Sequence, residues 1–596
     1  MAKQTAVHRH PWTSLVRFAL LFLVAMLVQF LALNRATGPY DEFLSLYGAE
    51  RVLHGGLPYR DFFTMYGPAQ FYLIAGFFKL FGVSALSGRI YDALIRAAIV
   101  CAVYALTVSL TSRRWAIAAF SVTLLWLACD RNPAYNYSAY PALLASLLSC
   151  IFFSRFLHHR QKSQLLLAGI LASIAATFRH DCGVYLSVTH LVLLAWIVRL
   201  DRRSTEPVST TLTRLLRLAL PYLGCVLLIA VPVYLAMLVG VGFQNIFFDL
   251  VYSPGFIYPK FRNMPFLDPD AVGKLHHPFN WTGRQGVETL VVFFPLLAIL
   301  SASLCLLTTR RSHSRIFAAA WQRQTFALLL VLGSLFFIKG LIRVSPVQLM
   351  QSIVVGIILL AVLLGQLSRI GGTVRLSLYA SALYLAVCTL PLALDLFADT
   401  RGNLSALLHP HAPNSFYSTC HPPPGLARLR CLTFEPDEAS VAEEVERRTV
   451  PGDKIFVGAG RHDRVFWSDV RLYFVTEHPA VTKWAEFDPG VLTTLPVQNE
   501  IIDSIRRDQP KVIVLNANWD NNTEPNQSRF SSGVTALDDY IHSHYTPRAT
   551  YGLITVLTPN GSDPSDRLNA GSSDQPAPTK ESSASPTRPQ LQNPTP

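Results

Sequence analysis

Apolar runs long enough for membrane helices recur from the start of the chain and stop near residue 396. They fall near 15–33, 88–110, 115–129, 139–157, 164–178, 184–200, 215–240, 287–307, 325–340, 347–367 and 375–396. A straight crossing takes about 20 residues, so the pattern predicts about 11 transmembrane helices. The first run follows Lys3, Arg9 and Arg17 and has no small-residue cleavage site after it, so it is expected to stay as a helix. Residues 69–82 are apolar but about 14 long, short of a crossing. Counting them as a span would put every later arginine cluster on the outer side, so they are expected to form an embedded or interfacial helix.

Orientation follows from the loops. Arg113-Arg114, Arg155/Arg160/Lys162, Arg199/Arg202/Arg203/Arg214/Arg217, Arg310/Arg311/Arg315/Arg323 and Arg369/Arg375 fill every second loop. Positive loops stay in the cytoplasm, which sets the N-terminus inside and, after eleven crossings, the C-terminal part outside. Acidic residues crowd the other face: Asp41, Glu42, Glu50, Asp61, Asp130, Asp181, Asp249, Asp268 and Asp270 all map there. Acids orient membrane proteins weakly, so this bias points to chemistry on the outer side.

Beyond residue 396 the pattern changes. Residues 454–457, 471–475, 511–515 and 553–557 are short β-branched or aromatic runs bounded by turn residues, and 436–448 and 497–508 have helical character. Residues 397–560 therefore predict a small extracytoplasmic α/β domain, after a membrane domain of residues 1–396. Residues 561–596 are rich in Pro, Ser, Asn and Thr and predict a disordered tail. Outside the cell, Cys420 and Cys431 can form a disulfide; two unlinked thiols are the alternative.

Composition agrees. The 596-residue chain is 51% hydrophobic and 15% charged, against about 25% charged in soluble domains. Its net charge of +13 does not imply nucleic acid, because the basic residues sit in short loops where they set topology.

Tyr40-Asp41-Glu42 stands just outside the first apolar run, ahead of Leu57-Pro58-Tyr59-Arg60-Asp61 and Tyr66-Gly67-Pro68. Asp41 can cap a helix that begins with Phe43 and Leu44, or act as a general base that takes a proton from an attacking hydroxyl. Asp130, in Asp130-Arg131-Asn132-Pro133, either joins that chemistry or simply pairs with Arg131. Arg179-His180-Asp181 reads as a relay or as an Arg–Asp pair at the membrane boundary. A phosphate leaving group needs cations, and the outer candidates are Arg60, Arg131, Arg179, Lys339 and Arg343. Lys339 and Arg343 are four apart and share a face on a helix, and snorkelling at the boundary is the other reading. The 241–286 loop, with Tyr252, Tyr258, Lys260, Arg262, His276 and His277, is a candidate acceptor or gating loop. No metal-ligand pattern stands out: His276-His277 are adjacent, and a proline splits Asp268 from Asp270.

Tyr40-Asp41-Glu42, Gly55-Gly56-Leu57-Pro58-Tyr59-Arg60-Asp61-Phe62, Tyr66-Gly67-Pro68-Ala69-Gln70-Phe71-Tyr72, Phe81-Gly82-Val83-Ser84 and Arg89 closely resemble the amino-terminal part of bacterial GT-C glycosyltransferases. These are the multi-spanning relatives of aminoarabinose transferases and protein O-mannosyltransferases (glycosyltransferase family 39-like). The resemblance is specific over about residues 35–110. It implies a GT-C-like membrane domain in the bacterial inner membrane and a sugar donor carried on polyprenyl phosphate. It also implies transfer on the extracytoplasmic face to a lipid, glycan or protein hydroxyl. The first acid of the family's Asp-Glu motif falls on Asp41, with Glu42 and Asp130 as further catalytic candidates. Arg60, Tyr59, Tyr66, Arg179, Lys339 and Arg343 are the candidates for donor phosphate and lipid. Some relatives carry Lys-Pro-Pro where this chain has Tyr66-Gly67-Pro68, so that lysine is missing here. No cofactor is certain from these residues, and a divalent metal is compatible with them. Direct displacement would invert the anomeric centre. The competing classes are a flippase or transporter for lipid-linked sugar and a non-catalytic envelope scaffold.

Overall fold

The computed structural model describes residues 11–38, 40–128, 134–201, 207–265, 290–311, 316–370, 372–412, 415–422, 424–522 and 524–561. Asp130, Arg131, Asp268, Asp270, His276, His277 and the predicted tail lie outside them.

Helices lie on every apolar run that the sequence marks. They are α1 (Pro11–Leu31), α4 (Ala85–Leu110), α5 (Arg113–Ala128), α6 (Ala139–His159), α7 (Lys162–Phe178), α8 (His180–Leu200) and α9 (Val208–Val241). Further along the chain come α12 (Phe294–Arg311), α13 (Ala320–Gly340), α14 (Pro346–Leu364) and α15 (Gly372–Leu408). Among the described residues seven of these (α4, α6, α8, α9, α13, α14 and α15) are long and apolar enough to cross a membrane. The chain is a multi-pass membrane protein. α14 is buried on nearly every side and forms the centre of the bundle. α9 instead turns Leu220, Leu227, Leu228, Leu235 and Val239 outward, a face suited to lipid. α15 runs on to Leu408, past the division that the hydropathy pattern sets at residue 396.

Two short helices, α2 (Asp41–Leu53) and α3 (Ala69–Phe81), lie in the first polar stretch. α3 is the short apolar helix expected over 69–82. A cluster of buried aromatics joins the two: Phe62 meets Phe71 edge-on at 5.1 Å, and a Cβ on Gly48 would strike both rings. After α9 the chain forms α10 (Phe243–Phe247), a π-helical turn (Phe248–Ile257) and α11 (Tyr258–Phe261).

The outer part contains α16 (Phe416–Cys420), α17 (Pro436–Arg448), α18 (Val470–Val475), α19 (Leu495–Asp508) and α20 (Ala536–His544). Its sheet holds β1 (Phe456–Ala459), β2 (Ile513–Asn516), β3 (Tyr545–Tyr551) and β4 (Ile554–Pro559), in the order β1-β2-β4-β3. β1 and β2 run parallel, β4 is antiparallel to β2, and β3–β4 is a hairpin. Cys420 and Cys431 are disulfide-bonded, the first of the two alternatives the sequence leaves open.

One predicted strand is wrong. Residues 471–475 form helix α18, which fills the space between α2 and the sheet. Tyr473 packs on Tyr47 at 5.4 Å, Phe474 on Phe43 at 5.6 Å, and the Tyr473 hydroxyl accepts from the Val457 N–H at 2.8 Å.

The outer part is fastened to the first polar stretch. The Ala480 N–H donates to the Tyr47 hydroxyl at 2.9 Å, the Phe63 N–H to the Lys483 carbonyl at 2.9 Å, and Arg428 pairs with Glu50 at 2.7 Å. The outer domain thus braces the loop that carries Asp41.

Candidate active site

The first loop reaches the bundle through a glycine. The Gly67 N–H donates to the Phe178 carbonyl at 3.0 Å, and a Cβ there would lie 2.2 Å from the Thr177 carbonyl oxygen. No side chain fits that approach. It sets Tyr66 beside the α7–α8 junction, where Arg179 stands. Tyr59 supports it from behind: buried, at a φ of 70°, it donates its hydroxyl to the Tyr66 carbonyl at 2.9 Å.

Tyr66 and Arg179 line a cavity of about 370 Å³. Tyr137, Asp181 and Tyr185 continue its wall, Pro254 and Tyr258 enter after α9, and Lys339, Arg343 and Gln348 close it between α13 and α14. Three cations therefore converge. Arg179 donates to the Tyr137 hydroxyl at 2.9 Å and pairs with Asp181 at 3.0 Å. Lys339 sits 3.4 Å from the same carboxylate and donates to Gln351 at 2.8 Å. Arg343 donates to the Arg262 carbonyl at 2.8 Å and forks onto Glu524, 2.9 Å at one oxygen. Asp181 offsets one of the two charges facing it, so the Arg179–Lys339 side keeps a net positive charge for an anion.

Asp41 opens α2, with Tyr40 at the N-cap position, and Tyr40 makes no capping bond through its side chain. The Asp41 carboxylate acts electrostatically on both Tyr66 and Arg343, two residues of the cavity wall. Burial pushes the Tyr66 phenol well up, with Tyr137 and Asp41 adding to it, so it stays protonated and can donate.

Residues 66–238 match the family model described as dolichyl-phosphate-mannose-protein mannosyltransferase. The fold is similar to that of ArnT from Cupriavidus metallidurans bound to undecaprenyl phosphate, at 15% identity and a TM-score of 0.53, over 93% of this chain and 99% of that one. ArnT from the same organism in the apo state gives a TM-score of 0.52 at 15% identity, over 91% and 98%. No curated protein sequence matches the chain.

The chain shares the fold of ArnT, a GT-C glycosyltransferase.

In this GT-C-like fold the sequence-predicted residues divide. Tyr66, Arg179, Lys339 and Arg343 line one cavity; Asp41 is not part of its wall but acts electrostatically on Tyr66 and Arg343. Tyr59 lies behind Tyr66, outside the lining. Arg60 is not among the residues lining the cavity: half-exposed, it forks onto its neighbour Asp61 at 2.8 Å, so the cavity wall gives no support to its expected donor contact. Glu42 is also corrected as a catalytic group. It lies sealed against Arg89, with both contacts at 2.7 Å, and Arg89 also donates to the carbonyls of Asn34 and Ala36. A carboxylate whose two oxygens are held by a buried guanidinium cannot meet substrate. The Arg179-His180-Asp181 run is a direct Arg–Asp pair rather than a relay, and His180 Nδ1 has no hydrogen-bond partner among the described residues. Also among the described residues, no three His, Cys, Asp or Glu side chains gather as metal ligands do.

Three charged residues near the site escaped sequence reasoning: Glu486, Asp488 and Glu524, all from the C-terminal domain. Arg262, after α11, was legible only as a member of the 241–286 loop. The three carry charge in otherwise apolar or turn-like surroundings. No local spacing ties them to Asp41, hundreds of residues away.

Proposed function

We propose that the chain moves a sugar from a polyprenyl-phosphate donor to a hydroxyl acceptor on the extracytoplasmic face of the bacterial inner membrane, with its N-terminus in the cytoplasm. The observation that carries this is the meeting of Arg179, Lys339 and Arg343 with Tyr66, Tyr137 and Tyr258 in one cavity whose wall Asp41 acts on electrostatically. A polyprenyl phosphate would set its anionic head among these cations, with its tail toward the exposed apolar helices. The bound lipid of the ArnT structure, which shares this fold, supports the reading.

In the reaction the acceptor O–H gives its proton to Asp41 as its oxygen attacks the anomeric carbon. The bond from that carbon to the phosphate oxygen breaks, and its electron pair leaves with the phosphate. Arg179, Lys339 and Arg343 stabilise the charge that develops there. One displacement inverts the anomeric centre. Arg179 and Lys339 supply charge where the family's missing lysine would have stood.

The test is turnover. Purified protein in lipid nanodiscs is given undecaprenyl phosphate carrying labelled mannose or a labelled pentose, and release of bare undecaprenyl phosphate is followed. Consumption of at least one donor is expected. If every donor in the panel persists, with and without added envelope extract as acceptor source, the proposal fails.

A further inference from the structure

The segment from Thr482 to Asp488 leaves the outer sheet and passes over the first loop. Ser468 fixes it: its hydroxyl donates to the Ala485 carbonyl at 2.8 Å and accepts from the Phe487 N–H at 3.1 Å. Phe487 is buried in the core of the outer domain. Glu486 and Asp488, on either side of Phe487, reach other partners. Glu486 meets the Tyr40 hydroxyl at 3.4 Å, and Asp488 meets Arg262 at 3.6 Å.

This cluster differs from the other buried ion pairs. Glu42–Arg89 and Glu524–Arg343 are close forks that satisfy both partners. Arg262 is 5% exposed, yet among the described residues its Nε and Nη1 have no hydrogen-bond partner, nor does Asp488 Oδ1 facing them. The indole N–H of Trp484, also buried, has none among the described residues either. Buried donors and acceptors left without partners are costly to a folded protein. As a latch between domains the arrangement is poor. As a set of hydrogen-bonding groups for a polyhydroxylated ligand it is apt: carboxylates accept from hydroxyls, while the guanidinium and indole donate to them.

Its place relative to the cavity fits. Tyr258 lines the cavity and lies in the electrostatic reach of Arg343, Arg262 and Asp488. Tyr66 lines it too and feels Asp41 and Glu486. Arg343 of the cavity wall donates to the Arg262 carbonyl at 2.8 Å, and Glu486 accepts from Tyr40, the residue before Asp41, so the cluster adjoins the cavity on its Arg343 side. Burial raises the carboxyl of Glu486 well above its usual range, and Asp488 and Asp41 raise it further. A protonated carboxyl can both donate and accept, which suits a hydroxyl.

We propose that Glu486, Asp488 and Arg262 form the subsite for the glycosyl ring of the lipid-linked donor, so that the outer domain selects the sugar while the membrane cavity holds its phosphate. This rests on the lipid-donor reading above.

The experiment measures binding of two lipids to the full chain in nanodiscs by native mass spectrometry: bare undecaprenyl phosphate, and undecaprenyl phosphate bearing mannose or a pentose. For Glu486→Gln and Asp488→Asn the expected result is a loss of about ten-fold or more for the best-bound glycosylated lipid. Bare lipid phosphate should stay within about two-fold, and the thermal unfolding midpoint should be unchanged. Arg343→Gln, in the phosphate cavity, should weaken both lipids together. Equal losses for both lipids in the Glu486 and Asp488 variants, or no loss for either, would overturn the subsite. If wild-type protein binds neither lipid, the donor reading itself falls and takes the subsite with it. If it binds the bare lipid normally and the variants do not discriminate, only the subsite falls.

Discussion

Glu42 and Arg89 hold each other in a two-point fork, 2.7 Å at each contact, with both side chains sealed from solvent. Arg89 sits on α4 and Glu42 on α2, so the fork ties the loop that bears Asp41 to the membrane bundle. The guanidinium also lies 4.3 Å over the Tyr135 ring. Adjacent acids of one motif are therefore placed differently: Glu42 is locked in the fork, while Asp41, one residue earlier, opens α2. Removing one partner of a buried pair costs about 3–5 kcal/mol, because the other charge is left unmatched. Glu42→Gln and Arg89→Met should each lower the thermal unfolding midpoint of the purified protein by several degrees. A Glu42→Gln variant that unfolds like wild type and loses only activity would contradict this.

Arg179 and Lys339 share the Asp181 carboxylate at 3.0 and 3.4 Å. Replacing either cation should weaken binding of undecaprenyl phosphate about ten-fold, the worth of one charge-assisted hydrogen bond. Asp181→Asn should strengthen binding or leave it equal, since it removes a competing anion. Lipid titration of the variants by native mass spectrometry checks both signs. A loss on Asp181→Asn as large as that on Lys339→Gln would mean that the carboxylate orients the cations and that net charge does not govern binding.

Asp249 lies in the π-helical turn and accepts from the Thr64 N–H at 3.3 Å. Burial raises its carboxyl from the usual carboxylate range to about 8, against the smaller opposing effects of that hydrogen bond and Lys483. The folded state therefore holds a proton that the unfolded chain releases near pH 4. Stability from this group is complete below pH 4 and falls steadily as pH rises to about 8. Asp249→Asn mimics the protonated form. It should unfold at a higher temperature than wild type at pH 8.5, with the difference vanishing at pH 4. Thermal unfolding scans across that range check the sign, and a variant less stable at pH 8.5 would contradict it.

The Cys420–Cys431 bond closes a short loop where α15 gives way to the outer domain. Loops of this length are worth about 3 kcal/mol in the chain-entropy view. Cys420→Ser with Cys431→Ser should lower the unfolding midpoint of the outer domain, and reductant should do the same to wild type but not to the variant. Insensitivity of wild type to reductant would contradict a structural bond.

Much of the membrane part could be read from hydropathy, since every apolar run became a helix. Three features of the outer part could not. Arg471-Leu472-Tyr473-Phe474-Val475 has strand-like composition, but it is buried on all sides, and a short run with no polar face has no period to tell helix from strand. β3 was missed because Pro547 and Arg548 interrupt it at a bulge, as an edge strand allows. Of the site, Tyr66, Arg179, Lys339 and Arg343 were visible as aromatic or basic residues at span ends. Glu486 and Asp488 were not, because only the folding of the outer domain back over the first loop brings them to Asp41.

The central claim is that Asp41 takes the acceptor's proton in a transfer fuelled by a lipid-phosphate leaving group. Single-turnover transfer by Asp41→Asn, with bare undecaprenyl phosphate binding measured on the same preparation, tests it most directly. The account predicts a chemical step slowed by about 10²–10⁴-fold with lipid binding preserved. A variant that transfers sugar at the wild-type rate would contradict it.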